Sequence, residues 1–207
     1  MKLLGWLFSF GLLASTGRVI TFDSGPLGKV PPGWTTTVTS SGAPPWEILR
    51  DQSAATQPYV LAHVSKGSAN RSPLAILNDL LLRDGEVSVR LKPVSGRTDQ
   101  CGGVIWRYKD ENNYYFARAD ALEKNVAVYK IENGRRIPLI AAVKHEIPAD
   151  AWYILKITAR GNRFEVYLDH RRVLQGRDGT FSQPGQVGLW TGAGALTYFD
   201  DFRVYPR

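Results

Sequence analysis

Residues 102–121 read GGVIWRYKDENNYYFARADA. Two runs of β-branched and aromatic residues flank the polar cluster Asp110, Glu111, Asn112 and Asn113, the pattern of an antiparallel hairpin with a short loop. Each arm carries one arginine, Arg107 and Arg118, in strand-like surroundings. A four-residue loop pairs Lys109 with Tyr114. Period-two alternation then puts Arg107, Phe116 and Arg118 on one face and Trp106, Tyr108 and Tyr115 on the other. A one-residue change in the loop separates the arginines, placing Trp106 and Tyr108 on the face of Arg118 and Arg107 on the other face. A sheet face mixing aromatic rings with guanidinium groups suits ring-shaped polar ligands such as sugars, since rings cover apolar sugar faces and arginine offers several directed donors. A half-buried strand pair with two snorkelling arginines accounts for the same residues.

Working outward, the strand signal repeats. Val19 to Asp23, Thr35 to Thr39, Trp46 to Leu49, Tyr59 to Val64 and Glu86 to Leu91 precede the hairpin. Val126 to Ile131, Tyr153 to Thr158, Phe164 to Asp169, Val187 to Trp190 and Phe202 to Tyr205 follow it. Turn chemistry separates them at Glu132-Asn133-Gly134, Arg160-Gly161-Asn162 and Asp178-Gly179. Leu74 to Leu82 reads as a helical turn on its own pattern, and no segment reads as a long amphipathic helix. Many short strands at this spacing predict an all-β sandwich. Alternation turns Phe164, Val166 and Leu168 to the core, and Val187 and Leu189 inward with Trp190 outward.

The chain has 207 residues, 43% hydrophobic and 22% charged, enough for one domain with its own core. Its formal charge is +7, yet the basic residues are scattered. The doublets Arg135-Arg136 and Arg171-Arg172 sit in apparent hairpin turns, and no basic helix or nucleic-acid motif occurs, so a nucleic-acid partner is not expected. Lys2, an apolar run from Leu3 to Leu13 and the small residues Ala14 to Gly17 have the order of an export signal. The run is shorter than the ~20 residues that span a bilayer. The reading is therefore a signal at 1–17 and an exported periplasmic or extracellular domain at 18–207, with no membrane span after cleavage. Cys101 stands alone, which excludes an intrachain disulfide and fits a small apolar residue at a strand start.

The runs GGVIWRYKDENNYYFARADALEKNVAVYKIENG, WYILKITARGNRFEVYLD, GQVGLWT and YFDDFRV resemble secreted bacterial domains of the concanavalin A-like lectin/glucanase superfamily. Laminin-G-like domains and the 3-keto-glucoside lyase/hydratase family, described as family 16 glycoside hydrolase-like, are nearest in character. The resemblance covers Phe22 to Val204. It implies a jelly-roll β-sandwich of two antiparallel sheets, with ligands on the concave face. Such a fold hosts lectins, hydrolases, lyases and adhesion modules, so it does not fix activity. His170 departs from the pattern, which has glycine there.

The resemblance also implies a structural calcium ion where the first and last strands meet, with Asp23 and Asp201 as ligands of suitable hardness. Turn-forming aspartates explain the same residues. The paired carboxylates of a glycosidase are not visible as the Glu-x-Asp-x-Glu strand of the glucanase branch. No Gly-x-Ser-x-Gly or zinc motif occurs. His63, His145 and His170 read as scattered surface residues. The expected function is therefore carbohydrate binding, acidic polysaccharide included given the basic charge, at Arg107, Tyr114, Arg118, Asp120 and Trp190. Asp120, two positions beyond Arg118, supplies a counter-charge on that face. The alternatives are a sugar-active lyase or hydrolase, and a structural or protein-binding module of the cell envelope.

Overall fold

Alternation along the strands is realised as two layers. The computed structural model describes residues 17–39, 44–56, 58–64 and 72–207; the export signal at 1–17 lies, except for Gly17, outside them. In chain order the strands are β1 (Arg18–Ile20), β2 (Trp34–Val38), β3 (Trp46–Arg50), β4 (Tyr59–His63), β5 (Pro73–Leu82), β6 (Gly85–Ser95), β7 (Cys101–Asp110) and β8 (Asn113–Asp120). They continue with β9 (Asn125–Glu132), β10 (Arg135–Pro138), β11 (Val143–Lys144), β12 (Tyr153–Arg160), β13 (Arg163–Leu168), β14 (Arg171–Arg177), β15 (Gly185–Thr191) and β16 (Leu196–Pro206). The first sheet runs β14-β13-β12-β6-β16-β4-β3 with β1 added on β16. The second runs β10-β9-β8-β7-β15-β5-β2 with β11 added on β9. Every pairing between these strands is antiparallel. This is the expected jelly-roll sandwich, and the described residues include no helix.

The sheets bury their facing sides against each other. Phe164, Val166 and Leu168 of β13 lie in this core as alternation required, with Val187 and Leu189 of β15 opposite. Trp106 and Tyr115 stack there with centroids 5.2 Å apart. Trp34 meets Phe202 edge-on at 5.3 Å, in the geometry that aromatic quadrupoles favour.

Leu74 to Leu82 is a strand, not a helical turn. Residues of good helical propensity yield here to pairing on both sides, with β2 and β15. Leu74 to Leu77, apolar on both faces, are buried on both sides, as a strand between two neighbours in a covered sheet requires. Both arginine doublets begin strands, β10 and β14, instead of occupying turns. His63 is buried against Trp46, with ring centroids 5.8 Å apart, so it is not a surface residue.

The central hairpin closes tighter than expected, with Asp110 opposite Asn113. The tip register agrees with a Lys109–Tyr114 pairing, but a bulge between Trp106 and Asp110 shifts the pairing deeper in the hairpin, where Trp106 faces Tyr115. Arg107 takes φ of 50° inside that bulge. The neighbouring β15 approaches so closely that a Cβ at Gly185 would lie 2.5 Å from the Arg107 carbonyl carbon, which is why glycine stands there.

Candidate functional site

Strand β8 turns Tyr115, Ala117 and Ala119 into the core and Tyr114, Phe116, Arg118 and Asp120 to the outer side of the second sheet. Trp190 of β15 shares that side, as alternation predicted, and stacks on Phe116 at 4.6 Å and 18°. Phe116 in turn stacks on Tyr129 at 5.2 Å. Cross-strand register places Gly103 between Trp190 and Arg118. A Cβ there would stand 2.2 Å from the Ala117 carbonyl oxygen, so the row keeps a gap between indole and guanidinium.

Arg118 is almost wholly buried and contacts the equally buried Asp120 carboxylate. The counter-charge expected at Asp120 is therefore realised. Asp120 also accepts from the Leu122 and Glu123 backbone N–H groups, at 2.9 and 3.0 Å, and so builds the turn that follows β8. That turn delivers Glu123, whose Oε2 accepts from Arg118 Nη2 at 2.6 Å. The Asn125 amide, and against burial the Arg118 charge, hold the Glu123 pKa below the usual range. Above this pair, the exposed Arg136 lays its guanidinium over Tyr129 at 4.0 Å, within 5.6 Å of Trp190, a cation–π arrangement.

Two buried donors are left over. Arg118 Nε and Trp190 Nε1 find no hydrogen bond of ordinary geometry among the described residues, although the Cys101 thiol and the Tyr114 hydroxyl are near enough to feel them. Tyr114 itself is buried and shares a 2.9 Å hydrogen bond with Thr39 Oγ1. Unpaired buried donors are costly and mark places where a ligand or water completes the pairing.

Arg107 does not belong here. The bulge turns it to the opposite side, where it is buried and donates to three backbone carbonyls: Arg83 at 3.0 Å, Phe181 at 2.8 Å and Gly161 at 2.6 Å. It ties the rims of the two sheets together, a structural task. Asp23 and Asp201 also serve other partners. Asp23 accepts from the Tyr59 N–H, while Asp201 is ion-paired with Arg203 at 2.8 Å and Arg90 at 3.4 Å. The carboxyl that feels Asp23 is Asp200, whose pKa burial raises.

Sequence reasoning missed Glu123, Arg136 and Tyr129. The signal for Arg136 was the Asn133-Gly134 turn, whose register sets Arg136 opposite Ile131 and beside Tyr129. Donor atoms of Asp99, Cys101 and Asp120 also lie within 4.8 Å of one another. However, Asp120 is committed to Arg118, and burial pushes the Cys101 thiol up to about 12. Cys101 should accordingly resist iodoacetamide in the native protein at about pH 8, near the ordinary thiol pKa of ~8.5, and react only in denaturing urea. Rapid native labelling, read by mass spectrometry, contradicts this burial.

The fold and this face define a concanavalin A-like sandwich. No family model matches the chain. The carbohydrate-binding module CBM66 from Bacillus subtilis superposes with a TM-score of 0.67 at 28% identity, covering 83% of this chain and 94% of that one. Levanase of Bacillus subtilis (strain 168) is 37% identical over 123 residues, 59% of this chain but 16% of the levanase. Two further neighbours share the fold at 13% identity and a TM-score of 0.61. Bacillus licheniformis β-glucanase covers 92% of this chain and 98% of its own. Domain 4 of an extracellular arabinanase from Geobacillus stearothermophilus, in complex with arabinotriose, covers 91% and 90%.

Proposed function

We propose that this protein is a carbohydrate-binding module that holds a neutral sugar over the outer side of the second sheet. The observation that carries the reading is the constellation itself: Arg136 cantilevered over a Tyr129–Phe116–Trp190 stack, beside the Arg118–Glu123 pair. Exposed Arg136 and Glu123 and half-buried Tyr129 form the rim a sugar touches. The buried Arg118 lies beneath and holds Glu123 in place through its Nη2. Two cations, Arg118 and Arg136, meet three carboxyl groups, Asp99, Asp120 and Glu123, so the face has no excess positive charge to draw an acidic chain. Both Asp120 and Glu123 are engaged by Arg118. That favours binding over hydrolysis, which needs two carboxyl groups free to exchange protons and attack.

Likeness to CBM66 and levanase supports the reading and makes levan the first ligand to test. The likeness to an extracellular arabinanase domain, together with the charged, apolar and small residues of 1–17, supports export to the periplasm or beyond. Titration calorimetry with levan, arabinan and mixed β-glucan should give saturable heat with at least one of them. Arg136→Ala and Glu123→Gln should each weaken it at least about tenfold, since a hydrogen bond to a charged group contributes ~1.5–3 kcal/mol. Unchanged affinity in both variants, or no heat with any of the three polymers, rejects the site.

A further inference from the structure

The basic excess of this chain is not at the sugar site; it collects on the outer side of the first sheet. There the strand positions facing away from the core carry Arg90, Lys156, Arg160, Arg163, Arg172, Arg177 and Arg203, against Glu86, Glu165 and Asp201. Seven cations to three carboxylates leave an excess of four on β14, β13, β12, β6 and β16, which Glu47 on the outer side of β3 lowers to three of the chain's net +7. Farther along the sheet, buried Lys92 is ion-paired with Asp51 at 2.8 Å and Asp150 at 3.4 Å, and buried Asp200 accepts from Thr56.

Three of these cations form a row. Arg160 stands directly opposite Arg163 across the Gly161-Asn162 turn, and Arg163 directly opposite Arg177 on the next strand. All three are exposed, and none has a carboxylate partner among the described residues. Their side chains point outward because Ala159, Phe164 and Gly176 beside them face the core, where a Cβ on Gly176 would meet the Phe164 ring at 2.5 Å. With strands ~4.8 Å apart, the row spans about 10 Å. Like charges directly opposite one another destabilise a sheet, so this row costs stability unless an anion neutralises it. The next such row, four residues along, sets Lys156 opposite Tyr167 and Tyr167 opposite Arg172. Lys156 Nζ lies 4.5 Å from the Tyr167 ring centroid. This ring helps line a 260 Å³ depression with Ile154, Arg90, Arg203 and Tyr205.

We infer that the outer side of the first sheet is a second binding surface, for an acidic polysaccharide. Its sugar rings lie along Tyr167 and the depression, and its carboxylate groups meet the Arg160–Arg163–Arg177 row. The inference deepens the reading of the chain as a glycan-binding module. A polymer with one charge per sugar suits this face better than duplex DNA, which presents a charge every ~1.7 Å of helix axis. Glu86, Glu165 and Asp201, interspersed among the cations, repel so dense an anion, whereas a sparser chain places its carboxylates between them.

The test uses the full chain and polygalacturonate, with fully methyl-esterified polygalacturonate as the neutral control. The wild type should bind the acid form and not the ester. The triple variant Arg160→Gln/Arg163→Gln/Arg177→Gln, exposed at every position, should bind at least tenfold more weakly at low salt. The slope of log affinity against log salt should fall by about two to three, at ~0.7–0.9 per neutralised charge. Levan binding by that variant should be unchanged, and polygalacturonate binding by Arg136→Ala should be unchanged, so either surface can fail alone. Equal binding of acid and ester, equal binding by the triple variant, or tighter binding to single-stranded DNA or anionic phospholipid vesicles overturns the inference.

Discussion

Arg107→Ala should cost this protein about 3–5 kcal/mol of stability while leaving its sugar affinity intact. The guanidinium is buried, and its hydrogen bonds satisfy the carbonyls of Arg83, Phe181 and Gly161, with Asp84 at 3.4 Å. Removing it takes a charged donor from three part-buried carbonyls, and a hydrogen bond to a charged group contributes ~1.5–3 kcal/mol before water replaces it. The alanine is left in a left-handed backbone conformation, which no longer has a side chain to hold it there. Urea denaturation reads the effect directly. A loss below about 1 kcal/mol, smaller than one such hydrogen bond, removes the claim that Arg107 ties the rims of the sheets. A large loss of sugar affinity with native stability returns Arg107 to the binding face.

The second large effect falls at Asp120. Asp120→Ala takes away the buried one of the two carboxylates paired with the Arg118 guanidinium, leaving exposed Glu123, a change that costs up to ~3–5 kcal/mol in comparable buried pairs. The same substitution removes the acceptor for the Leu122 and Glu123 N–H groups, so the turn that carries Glu123 loosens too. Stability and sugar affinity should fall together, in contrast to Arg107→Ala. Asp120→Asn retains an oxygen for the turn but not the charge, and its loss should lie between wild type and alanine. An Asp120→Ala protein as stable as the wild type means that Arg118 is not charge-compensated there, and the geometry of the site is then wrong.

Much of the candidate site was legible along β8. Alternation alone put Phe116, Arg118 and Asp120 on one side, and alternation in β15 put Trp190 outward. The expectation failed at Arg107 because period two holds only while pairing is regular. A bulge that absorbs two residues puts Arg107 on the wrong side before the strand returns to its expected register at Asp110, and nothing in the stretch WRYKD announces it. Glu123 and Arg136 escaped notice for another reason. Each lies in a turn or short edge strand, and its place over the sheet depends on where the neighbouring strand docks.

The sequence by itself determined the two-layered all-β class, because strands, turns and apolar alternation are local properties of consecutive residues. It also determined that Asp120 accompanies Arg118, since two positions along a strand always share a side. Only the tertiary structure decided that Leu74 to Leu82 is a strand, because its partners β2 and β15 lie about forty and one hundred residues away. Only it turned Arg107 inward, and only it aligned Arg160, Arg163 and Arg177. A scattered charge becomes a row when register brings three strands side by side, and register is set by pairing between strands, not by the order of residues within one.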